Sequence, residues 1–483
     1  MSRVLDGLKP EKVFYYFEEV TKIPRGSGNE KEISDYLFNL AKGKGWEVIQ
    51  DEALNIIIKK QATKGYENSP VVMLQGHMDM VCEKNEGVVH DFEKDPIKLR
   101  IIDDFIYGTE TTLGADNGIA VAMALAILDS DDLEHPALEV FITTDEEKGM
   151  TGAEKVDGSI FKSKYLLNLD SEEEGSFTSG CAGGCDILFK IPVQRQNLAR
   201  KKAYKVTVKG LLGGHSGTDI HKERGNANKI LGRILYDLLK DVELVNINGG
   251  SKTNAIPREA NAVIVTDNIN VVNNKIKVWN DILKNEYIFT DPAIGVFVLE
   301  TNTEEIPMDH DLFEKAVAAI NIIPSGVLSK STVIDLVISS NNLGVITTEN
   351  NLLKLHCSSR SSVETLLTHG FVPSMKQLGE VLDLECSIGD SYPGWEYAKK
   401  SAIRDICIET YKEIYNKEPV VGAIHAGLEC GLLMKKIKGL DAISMGPDTW
   451  DVHSPNEHIS IKSIENIYNL ICEILKKIKW RLL

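Results

Sequence analysis

Val71-Val72-Met73-Leu74-Gln75-Gly76-His77-Met78-Asp79 is an apolar run that leads directly into a His-x-Asp triplet. Residues two apart on an extended strand point to the same side, so His77 and Asp79 can share one space at the end of a strand. Imidazole is the commonest protein ligand for metals, and a carboxylate two residues on can orient its ring. A single triplet is weak evidence for a metal site, so its interpretation depends on the rest of the chain.

Length and charge restrict the class of protein. A chain of 483 residues is too long for one typical domain, and we expect two or three. Lys and Arg number 54 against 71 Asp and Glu, which gives a net charge of −17. This acidic balance argues against nucleic acid or an anionic membrane as the main partner.

Hydropathy and cysteine content indicate the compartment. No apolar run approaches the roughly 20 residues that a transmembrane helix needs, and the start of the chain, Met1–Asp6, lacks the apolar core of a signal peptide. The eight cysteines are too sparse for a disulfide scaffold, and Cys181 and Cys185 lack the spacing and the second pair of a zinc knuckle. We therefore expect a cytoplasmic protein with reduced thiols.

Strand and helix patterns alternate in the first part of the chain. Apolar runs at 54–58 and 71–75 indicate strands, and the run at 119–128 indicates a buried helix. After about residue 184 the pattern changes to two sets of helices and strands, which suggest a weak internal duplication of an α+β unit. Near residue 398 it returns to helix followed by strand. This organisation predicts one discontinuous α/β domain with a second domain inserted in it.

Two acidic stretches offer metal-type ligands at the ends of predicted elements. Asp116 lies in Gly114-Ala115-Asp116-Asn117-Gly118 at a helix start, where a helix-capping aspartate is the simpler alternative. Glu146 and Glu147 follow a predicted strand in Asp145-Glu146-Glu147. A solvated loop is the usual explanation of such a run. Alternatively, one of the two carboxylates faces a metal ion and the other a water molecule.

Two later stretches add further candidates. Asp170 opens Asp170-Ser171-Glu172-Glu173-Glu174-Gly175 after another predicted strand, a pattern that is often only an acidic loop. His453, in Val452-His453-Ser454-Pro455, is either a ligand or a surface histidine, and His458 is a rival ligand.

These residues together form a two-histidine, three-carboxylate set: His77, Asp116, Glu147, Asp170 and His453. Such a set suits two zinc ions about 3.5–4 Å apart, with one carboxylate bridging them. Bound water between the ions becomes acidic, and a free carboxylate nearby can act as general base. The pattern predicts hydrolysis of an amide.

The order of these stretches resembles the co-catalytic zinc peptidases, the family of carboxypeptidase G, aminoacylase, the tripeptidases and the carnosinases. The matching motifs are Gly76–Asp79, Gly114–Gly118, Asp145–Glu147, Asp170–Gly175, Gly213-Gly214-His215-Ser216-Gly217 and His453-Ser454-Pro455. Further stretches are similar to one branch, the bacterial aminoacyl-histidine dipeptidases: Cys181–Gly184, Gly225–Lys229, Asn254–Ala260 and Ile424–Gly431. The similarity covers essentially the whole chain.

The resemblance implies how the metal ligands are shared. Asp116 would bridge the two ions. His77 and Asp170 would complete one site, whereas Glu147 and His453 would complete the other.

The resemblance also implies catalytic and substrate-binding roles. Glu146 would be the general base, Asp79 would hold the ring of His77, and His215 would hydrogen-bond the developing oxyanion. The substrate-binding residues would be Arg360, as a bidentate anchor for a peptide carboxylate, and, on weaker grounds, Asn254, His425 and Glu429.

The expected fold class is α/β, in two domains. Residues 1–184 and 398–483 would form a catalytic domain around a mixed, mostly parallel sheet flanked by helices. Residues 185–397 would form an inserted α+β lid of two related halves. A hinge at the two crossings would bring His215 and Arg360 to the metal ligands.

The implied function is hydrolysis of unblocked dipeptides with two zinc ions, preferring Xaa-His substrates including β-alanyl-histidine. Manganese or cobalt would suit the same ligands. The alternatives are an N-acyl amino acid deacylase on the same fold and a catalytically silent metal-binding scaffold. The expected partners are small dipeptides, and both a monomer and a homodimer stay open.

Overall fold

The chain forms two compact units in a computed structural model that describes residues 3–196, 202–332, 336–349 and 351–479. The first unit comprises Met1–Gly180, Tyr397–Ala423 and Leu428–Leu483. The second comprises Cys181–Glu396 and Ile424–Gly427. No helix within the described residues has the length and apolar character needed to cross a membrane.

The α-helices are α1 (Glu11–Val20), α2 (Lys31–Gly43), α3 (Ala115–Leu128), α4 (Glu146–Gly149), α5 (Thr151–Lys155), α6 (Ala227–Leu238), α7 (Ile269–Glu286), α8 (His310–Ile322), α9 (Val372–Leu382), α10 (Ala402–Tyr415), α11 (Glu429–Lys436) and α12 (Ile461–Lys477). Short 3₁₀ turns lie at Gly158–Ile160 and Ile220–Lys222, and a π-helical turn at Leu366–Phe371.

The strands are β1 (Glu47–Gln50), β2 (Ile56–Lys60), β3 (Val72–His77), β4 (Leu99–Ile102), β5 (Phe105–Gly108), β6 (Leu138–Thr143), β7 (Tyr165–Asn168), β8 (Ser176–Cys181), β9 (Gly183–Pro192), β10 (Lys202–Lys209), β11 (Gly214–His215), β12 (Glu243–Gly249), β13 (Ala255–Ile256), β14 (Ala260–Thr266), β15 (Gly295–Thr301), β16 (Gly326–Lys330), β17 (Val337–Glu349), β18 (Leu352–Ser361), β19 (Glu385–Tyr392), β20 (Val420–Ile424), β21 (Asp441–Ser444), β22 (Thr449–Trp450) and β23 (His458–Ser460).

The large sheet of the first unit is mixed. Its strand order is β1-β2-β6-β3-β7-β21-β8-β20. The central strands β6, β3, β7 and β21 run parallel to one another. β1, β2 and β8 pair antiparallel with their neighbours. The predicted α/β class, with a mixed sheet flanked by helices, is confirmed.

Helix α3 is the internal helix of this unit. Its sequence is apolar on every side and it is buried along almost its whole length, as expected of a helix that is enclosed by protein. It packs on β3, where the absence of a side chain at Gly76 lets the helix approach. A Cβ at Gly76 would lie 2.7 Å from the Cβ of Ala120. The first residues of α3 are therefore held close to the end of β3.

The second unit is built on one long sheet. Its strand order is β15-β10-β14-β12-β17-β18-β9-β19, with β16 paired to β17. Helices α6, α7 and α8 contribute apolar side chains to one core that covers this sheet. Both predicted α+β halves contribute strands to it, since β17 pairs with β12 and β18 pairs with β9. Their relation by duplication stays a prediction.

The unit boundaries differ from the expected ones. The chain crosses between the units at Gly180/Cys181 and Glu396/Tyr397, whereas 184/185 and 397/398 were predicted. Residues 424–427 were expected in the catalytic domain, but they belong to the second unit. The reason is local hydrogen bonding, because the N–H of Ala182 lies 3.2 Å from the carbonyl oxygen of Ile424 and 3.0 Å from that of Ala426.

We expect Ile127→Ala, a truncation inside α3, to lower the free energy of unfolding by about 2–5 kcal/mol, because it leaves a cavity around a fully buried side chain. The matched control is Ile102→Ala on β4, where 43% of the side chain is exposed. This control should change stability by less than about 1 kcal/mol. Urea denaturation of both variants measures the difference. Equal losses would contradict the assignment of α3 as the internal helix.

Candidate metal and catalytic site

The ends of three parallel strands bring the candidate ligands together. β3 ends at His77, β6 ends just before Asp145-Glu146-Glu147, and β7 ends just before Asp170. His77 is the register partner of Thr143 on β6. Because the carboxyl ends of parallel strands lie at one edge of a sheet, the residues that follow them share one space.

Asp116 lies between the two histidines of the cluster. Its Oδ1 is 3.1 Å from Nε2 of His77, and its Oδ2 is 3.1 Å from Nε2 of His453. Oδ1 of Asp170 lies 3.4 Å from Nε2 of His77, and Oε2 of Glu147 lies 3.0 Å from Nε2 of His453. Each half of the cluster therefore has one imidazole and one carboxylate of its own, and Asp116 contributes one oxygen to each half.

The donor set fits a pair of divalent metal ions. In each of the two groups, His77–Asp116–Asp170 and Asp116–Glu147–His453, the ligand atoms lie within 4.8 Å of one another. Imidazole nitrogens and carboxylate oxygens are suitable ligands for zinc, manganese and cobalt. Burial raises the pKa of Asp170, and the neighbouring charge of Asp116 raises it further. A cation at this position would relieve that repulsion.

Glu146 lies beside the candidate ligands and forms a third group of possible metal-binding side chains with His77 and Glu147. One oxygen of its side chain falls within 4.8 Å of ligand atoms of His77 and Glu147. Burial raises the pKa of Glu146 well above its ordinary value, because the opposing charge of His77 is outweighed by burial and by the surrounding carboxylates. Such a carboxylate has a strong tendency to take a proton from a neighbouring acid.

Asp79 holds more than the ring of His77. Its Oδ1 lies 3.3 Å from Nδ1 of His77 and accepts a 3.1 Å hydrogen bond from the backbone N–H of Glu146. Its Oδ2 accepts from the N–H of Glu147 at 3.3 Å and from the hydroxyl of Ser27 at 2.7 Å. Although burial opposes ionisation, the His77 ring and these donors lower the pKa of Asp79 to about 2. One carboxylate therefore contacts the ring of a candidate ligand and fixes the turn that carries Glu146.

Arg25 is a supporting residue that no sequence motif singled out. It is 1% exposed and donates from Nη1 to the carbonyl oxygens of Met78, at 2.9 Å, and Asp79, at 3.1 Å. It also donates from Nη2 to the carbonyl of Gly114, where φ is +70°. The guanidinium thus ties the segment after β3 to the segment before Asp116.

His458, the rival of His453, lies outside the cluster. Its ring is stacked between Tyr107, at a centroid distance of 4.7 Å, and Trp450, at 5.2 Å. Its Nδ1 lies 2.9 Å from the carbonyl oxygen of Asn456. These contacts make His458 part of the base of the β22–β23 hairpin, and His453 is the histidine that the hairpin loop presents to Asp116.

In the second unit, His215 has a defined ring tautomer. Its Nδ1 accepts hydrogen bonds from the N–H groups of Gly217, at 3.3 Å, and Thr218, at 3.1 Å. Burial and the positive charge of Arg360 lower the pKa of His215. The neutral ring therefore carries its proton on Nε2, where it is a donor. Asn254 directly precedes Ala255, the register partner of His215 in the β11–β13 pair.

Arg360 and His425 lie in one polar cluster of the second unit. Arg360 is 7% exposed and donates from Nη1 to the hydroxyl of Tyr392 at 2.6 Å. Ser340, its register partner on β17, has its Oγ 2.7 Å from Nε2 of His425. Burial and the guanidinium of Arg360 lower the pKa of His425 to about 4, so its ring is neutral at pH 7. Because His425 is neutral, the buried positive charge of this cluster is that of the Arg360 guanidinium.

Glu429, an expected substrate contact, is a buried residue of the first unit. It is fully buried at the start of α11 in the first unit, and its Oε2 accepts hydrogen bonds from Gln75 and, at 2.7 Å, from Thr143. Burial, with the charges of Asp170 and Asp79, raises its pKa to about 8. This carboxyl group bonds side chains of β3 and β6, the strands that lead to candidate ligands, and its contact with a substrate stays a prediction.

Comparison with known proteins identifies the family. The model of a family described as Peptidase family M20/M25/M40 matches residues 73–477. The chain belongs to this family. The match spans all five candidate metal ligands, from His77 on β3 to His453 in the β22–β23 loop.

Relatives of this M20 chain extend over its full length. A cytosol non-specific dipeptidase of Escherichia coli (strain K12) is 38% identical over 480 residues, which are 98% of this chain and 99% of the relative. The crystal structure of an aminoacylhistidine dipeptidase from Vibrio alginolyticus has a TM-score of 0.90 at 36% identity and covers 99% of both chains. An M20 family metallo-carboxypeptidase from Sulfolobus solfataricus shares the fold, with a TM-score of 0.55 at 15% identity over 97% of this chain and 99% of its own.

Membership of the M20 family establishes the class of reaction. The chain is a peptide hydrolase of a metallopeptidase family, as the sequence predicted. The expected resemblance to the aminoacyl-histidine dipeptidases is also confirmed.

We expect Asp79→Asn to destabilise the metal-free protein by about 2 kcal/mol at pH 7, because the lowered pKa of Asp79 stabilises the folded state. That contribution is complete above about pH 4 and is lost as the pH falls through the folded-state pKa. The stability gap between the two proteins should therefore shrink between pH 4 and pH 2. Urea denaturation across this range measures it.

The control for this prediction is Asp35→Asn, which changes an exposed carboxylate paired with Lys31. Exposed pairs contribute little, so we expect almost no change in stability. A gap between wild type and Asp79→Asn that is independent of pH would contradict the role given to the Asp79 carboxylate.

Proposed function

We propose that this protein is a di-zinc dipeptidase that acts on unblocked dipeptides and prefers Xaa-His, including β-alanyl-histidine. The observation that carries the proposal is the position of Asp116, with one oxygen 3.1 Å from each of the imidazoles of His77 and His453. Two relatives that match the whole chain are named as dipeptidases, one non-specific and one acting on aminoacylhistidine.

The proposed metal ligands follow the two halves of the cluster. His77, Asp170 and Asp116 would hold one ion, and Glu147, His453 and Asp116 the other. When bound, such ions lower the pKa of a coordinated water and polarise the peptide carbonyl. Zinc is the first choice because its protein sites combine imidazole and carboxylate ligands, and manganese or cobalt suits the same atoms.

Glu146 would act as the general base. It would take a proton from the attacking water and deliver it to the amine that leaves when the peptide bond breaks. Its position supports the first step, since a carboxylate oxygen of Glu146 lies within 4.8 Å of ligand atoms of His77 and Glu147. Its backbone N–H is fixed by Asp79, so the side chain starts from a defined position beside the ligands.

Two residues of the second unit would recognise the peptide. His215 would donate from Nε2 to the oxygen that becomes negative during attack, and its Nδ1 contacts support this tautomer. Arg360 would bind the carboxylate of the dipeptide, since its buried guanidinium has a hydroxyl partner in Tyr392 and retains an Nε without a hydrogen-bond partner in the described residues. Asn254 and His425 are neighbours of this pair and weaker candidates.

The name of the Escherichia coli relative also supports a cytosolic location, which we propose for this protein. Its substrates would then be small peptides of the cytosol.

We expect Glu146→Gln to lower kcat by roughly 10²–10⁴-fold without changing the amount of zinc bound, because the amide cannot accept the proton. Steady-state kinetics with zinc analysis of the same sample tests this. The matched control is Glu154→Gln on α5, an exposed glutamate of the following helix, which should keep wild-type turnover.

Metal removal completes this test. A chelator should abolish turnover by the wild type, and added zinc should restore it. Near-normal turnover by metal-replete Glu146→Gln would exclude Glu146 as the base, and turnover that survives chelation would exclude the metal mechanism.

Substrate preference is tested with carnosine, Leu-His, Gly-Gly and an N-acetyl amino acid. We expect kcat/KM for the two histidine dipeptides to exceed that for Gly-Gly by roughly tenfold or more, a difference of about 1.4 kcal/mol in transition-state binding. The acylated amino acid should not be hydrolysed. Similar values for the three dipeptides would favour a non-specific dipeptidase, and hydrolysis of the acylated compound would favour a deacylase.

A further inference from the structure

Glu457 makes an unusual set of backbone contacts next to the metal ligands. Its carboxylate, which is 2% exposed, accepts hydrogen bonds from four successive backbone N–H groups. The donors are Leu113 at 2.8 Å, Gly114 at 2.9 Å, Ala115 at 2.7 Å and Asp116 at 3.3 Å. Backbone N–H groups at a helix start otherwise lack partners, so this carboxylate determines the path of the segment that carries Asp116.

The same segment is held from the other side by a cation. Arg25 donates to the carbonyl oxygen of Gly114, while its Nη1 donates to the carbonyl oxygens of Met78 and Asp79. The N–H groups of the segment thus face Glu457, and one of its carbonyl groups faces Arg25. Rotation of this backbone would break bonds on both sides, so the direction of the Asp116 side chain is fixed.

Glu457 and His453 belong to one loop. The loop joins β22 to β23, whose register pairs are Thr449 with Ile459 and Trp450 with His458. Inside it, the N–H of Glu457 donates to the carbonyl oxygen of Ser454 at 3.0 Å. The loop therefore carries His453, a proposed metal ligand. Four residues later it carries Glu457, which holds the backbone of Asp116, a second proposed ligand.

We propose that Glu457 is a positioning residue that couples two of the three proposed ligands in the His453 half of the metal centre, Asp116 and His453. By holding the backbone of Asp116, it would set the distance between the Asp116 carboxylate and His453, which the same loop carries. Outer groups that orient a metal ligand typically contribute 10–100-fold to metal affinity. The inference rests on the proposed two-metal site and adds a residue that acts on it through the backbone.

The test compares zinc binding by Glu457→Gln and by a matched variant, Glu139→Gln. Glu139 is 3% exposed in the same unit and accepts hydrogen bonds from the backbone N–H groups of Lys162 and Ser163. It lies at the other end of β6, four residues or roughly 13 Å from Thr143. Both substitutions replace a buried carboxylate that accepts hydrogen bonds from the backbone of another segment. Of these two carboxylates, only that of Glu457 bonds a segment that carries a proposed metal ligand, Asp116.

We expect Glu457→Gln to weaken binding of one of two zinc ions by about 10–100-fold and to reduce the rise in Tm that zinc causes. Glu139→Gln should lower Tm with and without zinc by the same amount and leave both zinc affinities within about twofold of wild type. Competition with a chromophoric chelator measures the affinities. Glu457→Asp withdraws the carboxylate by one methylene. Its zinc affinity should lie between those of wild type and Glu457→Gln.

The inference is overturned if Glu457→Gln loses stability as Glu139→Gln does but binds both zinc ions like wild type. If Glu457→Gln does not fold, Glu457→Asp with two wild-type zinc affinities overturns it equally. Failure of the wild type to bind two zinc ions would instead contradict the proposed function, so the two failures are distinguishable.

Discussion

The sharing of one carboxylate between two imidazoles is the constraint on which the first unit depends. Asp116 must reach His77, which ends a strand, and His453, which follows in the chain only after the second unit. Burial of several acidic groups around it is unfavourable unless cations compensate the charge. The parallel strands, the internal helix and the β22–β23 loop meet at one edge of the sheet and hold these charges together there.

The sequence was sufficient to select the candidate ligands that the structure brings together, and three of the five stretches follow a strand with a clear apolar pattern: those of His77, Glu147 and Asp170. The buried helix at 119–128 and the strand that ends at His77 were recognisable in the same way. The supporting residues could not be recognised from such a pattern. Arg25 and Glu457 act on backbone N–H and carbonyl groups, and any residue type presents such groups, so nothing in the neighbouring sequence marks them.

Other differences have local causes. In the second of the two predicted sets of helices and strands, β17 begins at Val337 and continues to Glu349. Pro373 does not break the helical run from 364 to 382, because it lies just after the π-helical turn Leu366–Phe371, where the α-helical hydrogen-bond pattern is already interrupted. Glu429 was selected as a substrate-binding candidate because it lies in the Ile424–Gly431 motif. It is buried, and its carboxylate accepts hydrogen bonds from Gln75 on β3 and Thr143 on β6.

The chain order of the first unit has a consequence for when activity can appear. β21 and the β22–β23 hairpin are encoded after the whole second unit, although they pack beside strands made much earlier. Synthesis runs from the N-terminus, and a domain folds as its parts become available. A growing chain on the ribosome thus holds His77, Asp116, Glu147 and Asp170 long before it holds His453. On the proposed set of ligands, a peptide hydrolase built in this order has no complete metal centre while the second unit is still being translated.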